Sequence, residues 1–260
     1  METVTVLMPR FDLFVFVFLR MGAMFTGLPV FGSRNIPIIF RLGLAFATAF
    51  LLLPLLSGVS VPPVGRPLAL ALAAGAEILI GMVIGLTVRL LFSGIQLAGQ
   101  MAGYQMGLAL ANVVDPNTSD QVPILGQLYN LIATLLFLVM NAHHWCLKAM
   151  VESFYRIPIG GMSVSPQLIH DLMGLGGQMF VVAVKVGAPV IIALLLVSVA
   201  LGLVARTVPQ MNVFIVAMPL NIMVGLVFVG ITLPHFINYL EGLFTELPKI
   251  LLRLITLMGA

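Results

Sequence analysis

Residues 207–240 read TVPQMNVFIVAMPLNIMVGLVFVGITLPHFINYL, 34 consecutive positions without an Asp, Glu, Lys or Arg. A helix needs only ~20 predominantly apolar residues to cross a bilayer core, so this stretch decides the class of the protein. Two further gaps repeat the pattern, 24 residues between Arg41 and Arg66 and 27 between Asp120 and Lys148. Of the 260 residues, 61% are hydrophobic and 8% charged; a soluble domain runs nearer ~45–50% and ~25%. The 12 Lys plus Arg and 9 Asp plus Glu are too few to coat a water-soluble fold of this length. The sequence predicts an all-α membrane protein, one integral-membrane domain over residues 1–260.

Six hydrophobic segments bracket themselves: Leu13–Phe31, Ile36–Leu56, Leu68–Phe92, Pro123–Leu147, Gln178–Ala205 and Asn212–Phe236. A seventh, Ile237–Met258, is amphipathic. Glu241, Thr245, Lys249 and Arg253 recur every four residues and share a helix face, with Leu240, Phe244, Leu247, Leu251 and Leu254 opposite. That element suits either the membrane interface or a partner's surface. The connections carry turn residues: Ser57 to Pro67, Asp115 to Asp120, and Arg156 to Gly161. Residues Pro166–Gly177 read as a short helix followed by a glycine-rich break.

Several functions are excluded by what is missing. The net charge is +3, but the basic residues are dispersed singly and form no phosphate-binding patch, so no nucleic acid is expected. One cysteine, Cys146, rules out an internal disulfide or a multi-cysteine metal site. His143 and His144 are adjacent, which sends them to different sides of a helix, and no HExxH spacing accompanies them. No nucleophile elbow, phosphate loop or dinucleotide fingerprint occurs. An enzyme is not expected, nor a cofactor or metal. Glu2 stands where a signal peptide wants basic residues, so the first apolar segment is expected to stay in the mature protein.

Charges and breakers inside the segments argue against a plain six-helix bundle. Arg20, Arg41, Glu77 and Lys185 interrupt them, as do Pro29, Pro54, Pro189 and Pro219. Ionisable groups at membrane depth face protein or water. Glu77 and Lys185 are the buried-charge candidates, and Glu77 can pair with Arg20, Arg41 or Lys185; structural pairing and an ion pathway both fit. Gly81 and Gly85 form a GxxxG pair, and Gly99, Gly103 and Gly107 extend the same interval over two steps. Gln96 and Gln100 add a polar face to that second helix, which is either buried in a bundle or lines a channel. The positive-inside count, Arg10, Arg66, Lys148, Arg156, Lys249 and Arg253 against Arg34, Arg89 and Arg206, is a weak vote for cytoplasmic termini.

Two strings carry a specific resemblance. One runs Leu28-Pro29-Val30-Phe31-Gly32-Ser33-Arg34-Asn35-Ile36-Pro37, then Arg41 to Ala45; the other is Arg206-Thr207-Val208-Pro209-Gln210-Met211-Asn212-Val213-Phe214, then Met218-Pro219-Leu220. Both resemble the signatures of the FliR family of flagellar biosynthesis proteins, shared with injectisome export machines, over about residues 10 to 255. The resemblance implies a non-enzymatic subunit of the flagellar type III export gate in the bacterial inner membrane. It implies long bent helical hairpins, a FliP-like part joined to a FliQ-like part. It also implies five FliP and four FliQ partners, FlhB and FlhA nearby, and unfolded flagellar proteins as cargo, with membrane lipid around.

Within that resemblance, Met106, Leu108, Leu110, Asn112, Val113, Val114 and Asp115 are expected to form a pore plug. Relatives often place aromatic residues there, so an aliphatic seal is expected instead. Arg34, Arg41, Arg206, Pro209, Gln210 and Asn212 are expected to build structural corners, with Arg206 bonded to carbonyl oxygens or a carboxylate. Glu241, Lys249 and Arg253 are expected to face a partner. A self-contained secondary transporter using Glu77 and Lys185 is the competing reading.

Overall fold

The computed structural model describes residues 2–32, 36–56, 58–59, 67–108, 123–208, 210 and 212–259, with backbone alone at 2–10 and 213–214. Among the described residues are seven α-helices and no strand. They are α1 (Glu2–Gly27), α2 (Ile38–Leu52), α3 (Pro67–Gln105), α4 (Ile124–Val139), α5 (Ala142–Arg156), α6 (Pro166–Thr207) and α7 (Val213–Met258). Helices α3, α6 and, from Ile215, α7 are each long and apolar enough to cross a membrane, and α4 with α5 qualifies as one pair bent by 66°. This is an all-α membrane protein.

The boundaries differ from the sequence reading where local breakers were overruled. The segment ending at Phe92 and the glutamine-bearing helix after it are one helix, α3, of 39 residues. The expected break at Gly174 to Gly177 is absent; α6 runs unbroken for 42 residues and contains Pro189. Each glycine costs ~1 kcal/mol relative to alanine in a helix, less than a long apolar helix loses by exposing backbone polar groups outside water. For the same reason the amphipathic C-terminal element is the continuation of α7, whose 46 residues pass through Pro219, Pro234 and Pro248. The real break falls inside Pro123–Leu147. There Asn141 adopts the left-handed conformation at φ 56°, which asparagine tolerates, and α4 ends.

The chain forms two compact units. One comprises residues 1–90, 137–176 and 244–260; the other comprises 91–136 and 177–243. In the first, α1 buries Phe16, Met21, Met24 and Phe25, and α3 buries Ile80, Ile84 and Val88. The end of α7 adds Leu247, Leu251 and Leu254. The chain end is tied to the loop before α6: Ser163 donates its N–H to the Met258 carbonyl at 2.9 Å. Ser165 Oγ accepts the Leu168 N–H at 3.2 Å with Pro166 in the first helical position, a serine-proline helix start. In the second unit, Tyr129 stacks on Phe236 at 4.9 Å between ring centroids.

Glycine spacing does its work where the helices cross. In the first unit a Cβ on Gly81 would fall on the Arg20 carbonyl and lie 2.8 Å from Ala23 Cβ. One on Gly85 would sit 2.7 Å from the Met24 carbonyl oxygen, and one on Gly27 would fall on the Gly85 backbone. Helices α1 and α3 therefore cross with their backbones in contact. In the second unit Gly99 plays that part against Gly126, at 2.6 Å. The three-glycine ladder divides after that: Gly103 has nothing nearer than 3.9 Å, and Gly107, at φ 81°, terminates α3. Substituting Gly81 by Ala is expected to lower stability by about 1–3 kcal/mol through overpacking. Gly103→Ala is expected to be neutral or slightly stabilising. Thermal melting of the full chain in detergent compares the two, and equal melting points would refute the close crossing.

Candidate functional site

The chemistry of the first unit centres on α1. Arg20 points into the apolar interior, and its side chain is fully buried. Its Nε donates to Glu77 Oε2 on α3 at 2.6 Å, and neither side chain is open to solvent. Nη1 donates to Ser153 Oγ on α5 at 2.8 Å, and Ser153 in turn donates to the Met150 carbonyl at 2.6 Å. The guanidinium lies 3.9 Å from the centroid of Phe154. The second carboxylate oxygen of Glu77 accepts the Gly160 N–H at 3.1 Å. Gly160 is at φ 72°, and a Cβ there would come 3.0 Å from that of Ala73. Only glycine can turn that N–H toward Glu77 without strain.

The geometry of helices explains why these residues meet. Glu77, Gly81 and Gly85 succeed one another at four-residue intervals, so they form one stripe along α3. Arg20, Met24 and Gly27 form the matching stripe on α1, and the glycine contacts bring the two stripes together. Removing two such charges from water costs several kcal/mol per ion, recovered only with near-complete hydrogen bonding. Here the carboxylate is satisfied at both oxygens, and the cation has two hydrogen bonds and an aromatic face. Only Nη2 lacks a partner. The cluster holds no reacting group in the open and is a structural lock.

The other expected site residues are scattered. Of the three candidate partners for Glu77, the structure selects Arg20. Lys185, expected to be a buried charge, is exposed, with Nζ 5.9 Å from the Tyr239 ring. Its apolar neighbours Val181 and Val184 are 49% and 56% exposed, so depth in an apolar run did not measure burial. Arg41 is half-buried and donates from Nε to the Phe31 carbonyl at 2.9 Å, bracing the turn after α1. Arg206 sits in the last turn of α6, exposed, and makes no hydrogen bond or ion pair among the described residues. Among the described residues no clamp on carbonyls or a carboxylate is seen; Arg206 is a basic residue at a helix C-terminus, where the dipole favours it. Gln210 and Asn212 are exposed. Arg34, Leu110, Asn112, Val113, Val114, Asp115 and Pro209 lie outside the described residues.

Met106 and Leu108 are the described part of the expected plug. Met106 is fully buried, its side chain packed on Gly225 of α7, and Leu108 is half-buried. On the C-terminal stripe, Glu241 is exposed, Lys249 pairs with Glu246 at 2.8 Å, and Arg253 reaches Asp171 at 2.6 Å. The opposing Leu240, Phe244, Leu247, Leu251 and Leu254 are all buried. The rings of His143 and His144 lie 4.2 Å apart in the first turn of α5, with His143 half-buried and His144 exposed. No group of three His, Cys, Asp or Glu among the described residues can hold a metal ion. Ser153, Phe154 and Gly160 escaped the sequence reading; only the Gly160-Gly161 turn hinted at a role.

The architecture defines an all-α membrane protein with several helices long and apolar enough to cross a bilayer. Residues 11–247 match the model of the family described as bacterial export proteins, family 1. The chain is 34% identical to the flagellar biosynthetic protein FliR of Bacillus subtilis (strain 168) over 96% of both chains. It is 33% identical to FliR of Escherichia coli (strain K12), covering 94% of this chain and 93% of that one. FliR of Aquifex aeolicus (strain VF5) is 30% identical over 85% of each. The chain belongs to this FliR family of bacterial export proteins.

The lock predicts a particular pattern of substitutions. Glu77→Leu alone is expected to cost about 3–5 kcal/mol, because it strands a buried guanidinium. The double variant Arg20→Met, Glu77→Leu is expected to recover most of that. Melting of the wild type, both single variants and the double variant in detergent gives the coupling. Additive losses would contradict the pairing.

Proposed function

We propose that the chain is a non-enzymatic core subunit of the flagellar type III protein export gate in the bacterial inner membrane. In this reading it acts as one export-gate domain and completes a channel with five FliP and four FliQ chains. FlhB and FlhA lie alongside, and the channel passes unfolded flagellar proteins. Beside the family membership, one observation carries the reading: two of the long apolar helices, α6 and α7, have little cover of their own. The most apolar window of α6 is 17% buried inside the chain, and that of α7 is 11% buried. Exposure on that scale suits helices that acquire their neighbours from other subunits. A self-contained transporter loses support, since Glu77 is committed to Arg20 and Lys185 is exposed.

Within that assembly, residues 106–120 serve as the resting plug. A channel wide enough for unfolded protein must still hold back ions, and a hydrophobic constriction does this by excluding water. The stretch carries no charge between Met106 and Asp115 and supplies Leu108, Leu110, Val113 and Val114. Its start is anchored by Met106 on Gly225, and the left-handed Gly107 releases the chain from α3. Replacing residues 108–114 with glycine and serine in the assembled complex is the test. Raised leakage of small ions or dye with assembly intact is expected; unchanged resting permeability would reject the plug.

A further inference from the structure

A groove of about 210 Å3 runs between α5 and the end of α7 in the first unit, lined by Trp145, Lys148, Glu152, Arg156, Pro248 and Leu252. It belongs neither to the buried ion pair nor to the plug. Its charges are not equivalent. Arg156 Nε donates to Glu152 Oε1 at 2.7 Å, and Arg156 Nη1 reaches Thr256 Oγ1 at 3.1 Å, so that pair is internally neutralised. Lys148 is exposed and pairs with no carboxylate among the described residues; its Nζ lies 5.5 Å from the Trp145 ring centroid. The groove therefore offers one uncompensated positive charge.

The remaining wall is apolar and aromatic. Trp145 is 44% exposed and Leu252 39% exposed, with Pro248 between the elements. Just ahead of Trp145, Leu138 and Val139 at the end of α4 are also exposed. Helix α5 is the charged limb of the bent α4–α5 pair, the limb bearing Lys148, Glu152 and Arg156. An apolar limb followed by a tryptophan and a lysine is the order in which a segment leaves the hydrocarbon for the headgroup layer. Indole and ammonium side chains both settle at that boundary, the ring in the acyl edge and the charge in the phosphate zone.

We infer that this groove binds the headgroup of a singly charged anionic phospholipid, with Lys148 facing the phosphodiester. Trp145, Pro248 and Leu252 cover the top of its acyl chains. Charge matching selects the class: one cation meets one phosphodiester, whereas a multiply charged headgroup would bring further negative charge against Glu152. A zwitterionic lipid gains less, because its own ammonium opposes Lys148.

Trp145 is the sole tryptophan of the chain, so its fluorescence reports this groove alone. The full-length chain is reconstituted into phosphatidylcholine vesicles carrying, as a minor component, phosphatidylglycerol or phosphatidylcholine brominated near the top of the acyl chains. Brominated phosphatidylglycerol is expected to be enriched about five-fold at Trp145, the order set by one lysine at an anionic surface. Lys148→Gln should abolish that preference, and Lys148→Arg should keep it. Equal quenching by the two lipids in the wild type would overturn the inference, as would a preference that survives Lys148→Gln. Absence of quenching by either lipid would also overturn it, and would mark the groove as a protein-facing surface outside the bilayer.

Discussion

Two opposite charges 2.6 Å apart, both sealed from solvent, set the terms for the first compact unit. A buried guanidinium and carboxylate cannot be left half satisfied, so every element bearing a partner must arrive in register. Helix α1 brings Arg20, α3 brings Glu77, α5 brings Ser153 and Phe154, and the turn after α5 brings the Gly160 N–H. The glycines are part of the same device. Gly81 and Gly85 follow Glu77 along one stripe of α3, and without their bare surfaces α1 could not come close enough for Arg20 to reach. Sliding α1 by one turn would strand both charges, so the ion pair ties α1 to one register on α3.

That constraint suits a family of export proteins. An apolar pair of helices can slip past each other at small cost, because apolar contacts are interchangeable; a buried ion pair cannot. Helices α6 and α7, by contrast, leave most of their apolar windows exposed. Within the first unit the Arg20–Glu77 cluster supplies the fixed point on which α1, α3 and α5 register.

The sequence revealed the class of the protein through its charge-free runs, and its family through the strings around Arg34 and Arg206. It placed the buried leucines of the C-terminal element correctly opposite Glu241, Lys249 and Arg253, because helical periodicity is local. It failed where a long apolar helix overrides a local breaker: Gly174 to Gly177 do not interrupt α6, since breaking a helix outside water leaves backbone groups unsatisfied. Nor does glycine spacing rank the contacts. The short Gly81–Gly85 pair makes the tightest contact, while Gly103, inside the longer ladder, touches nothing closely. Spacing shows that a face is smooth, and only the opposing helix decides whether smoothness is used. Glu77 and Lys185 looked alike in sequence, each alone in an apolar run. One is fully buried and the other exposed, a difference that depends on which side of the helix the fold covers.

The central claim is that the uncovered faces of α6 and α7 are subunit surfaces of an export complex. Mild solubilisation of the native bacterial membrane through a tag on this chain, followed by mass measurement of the intact particle, addresses it directly. The account predicts one copy of this chain in a single large complex with five FliP and four FliQ chains. Recovery of the chain as a stable monomer or homodimer, with its helices covered by lipid or detergent alone, would contradict it.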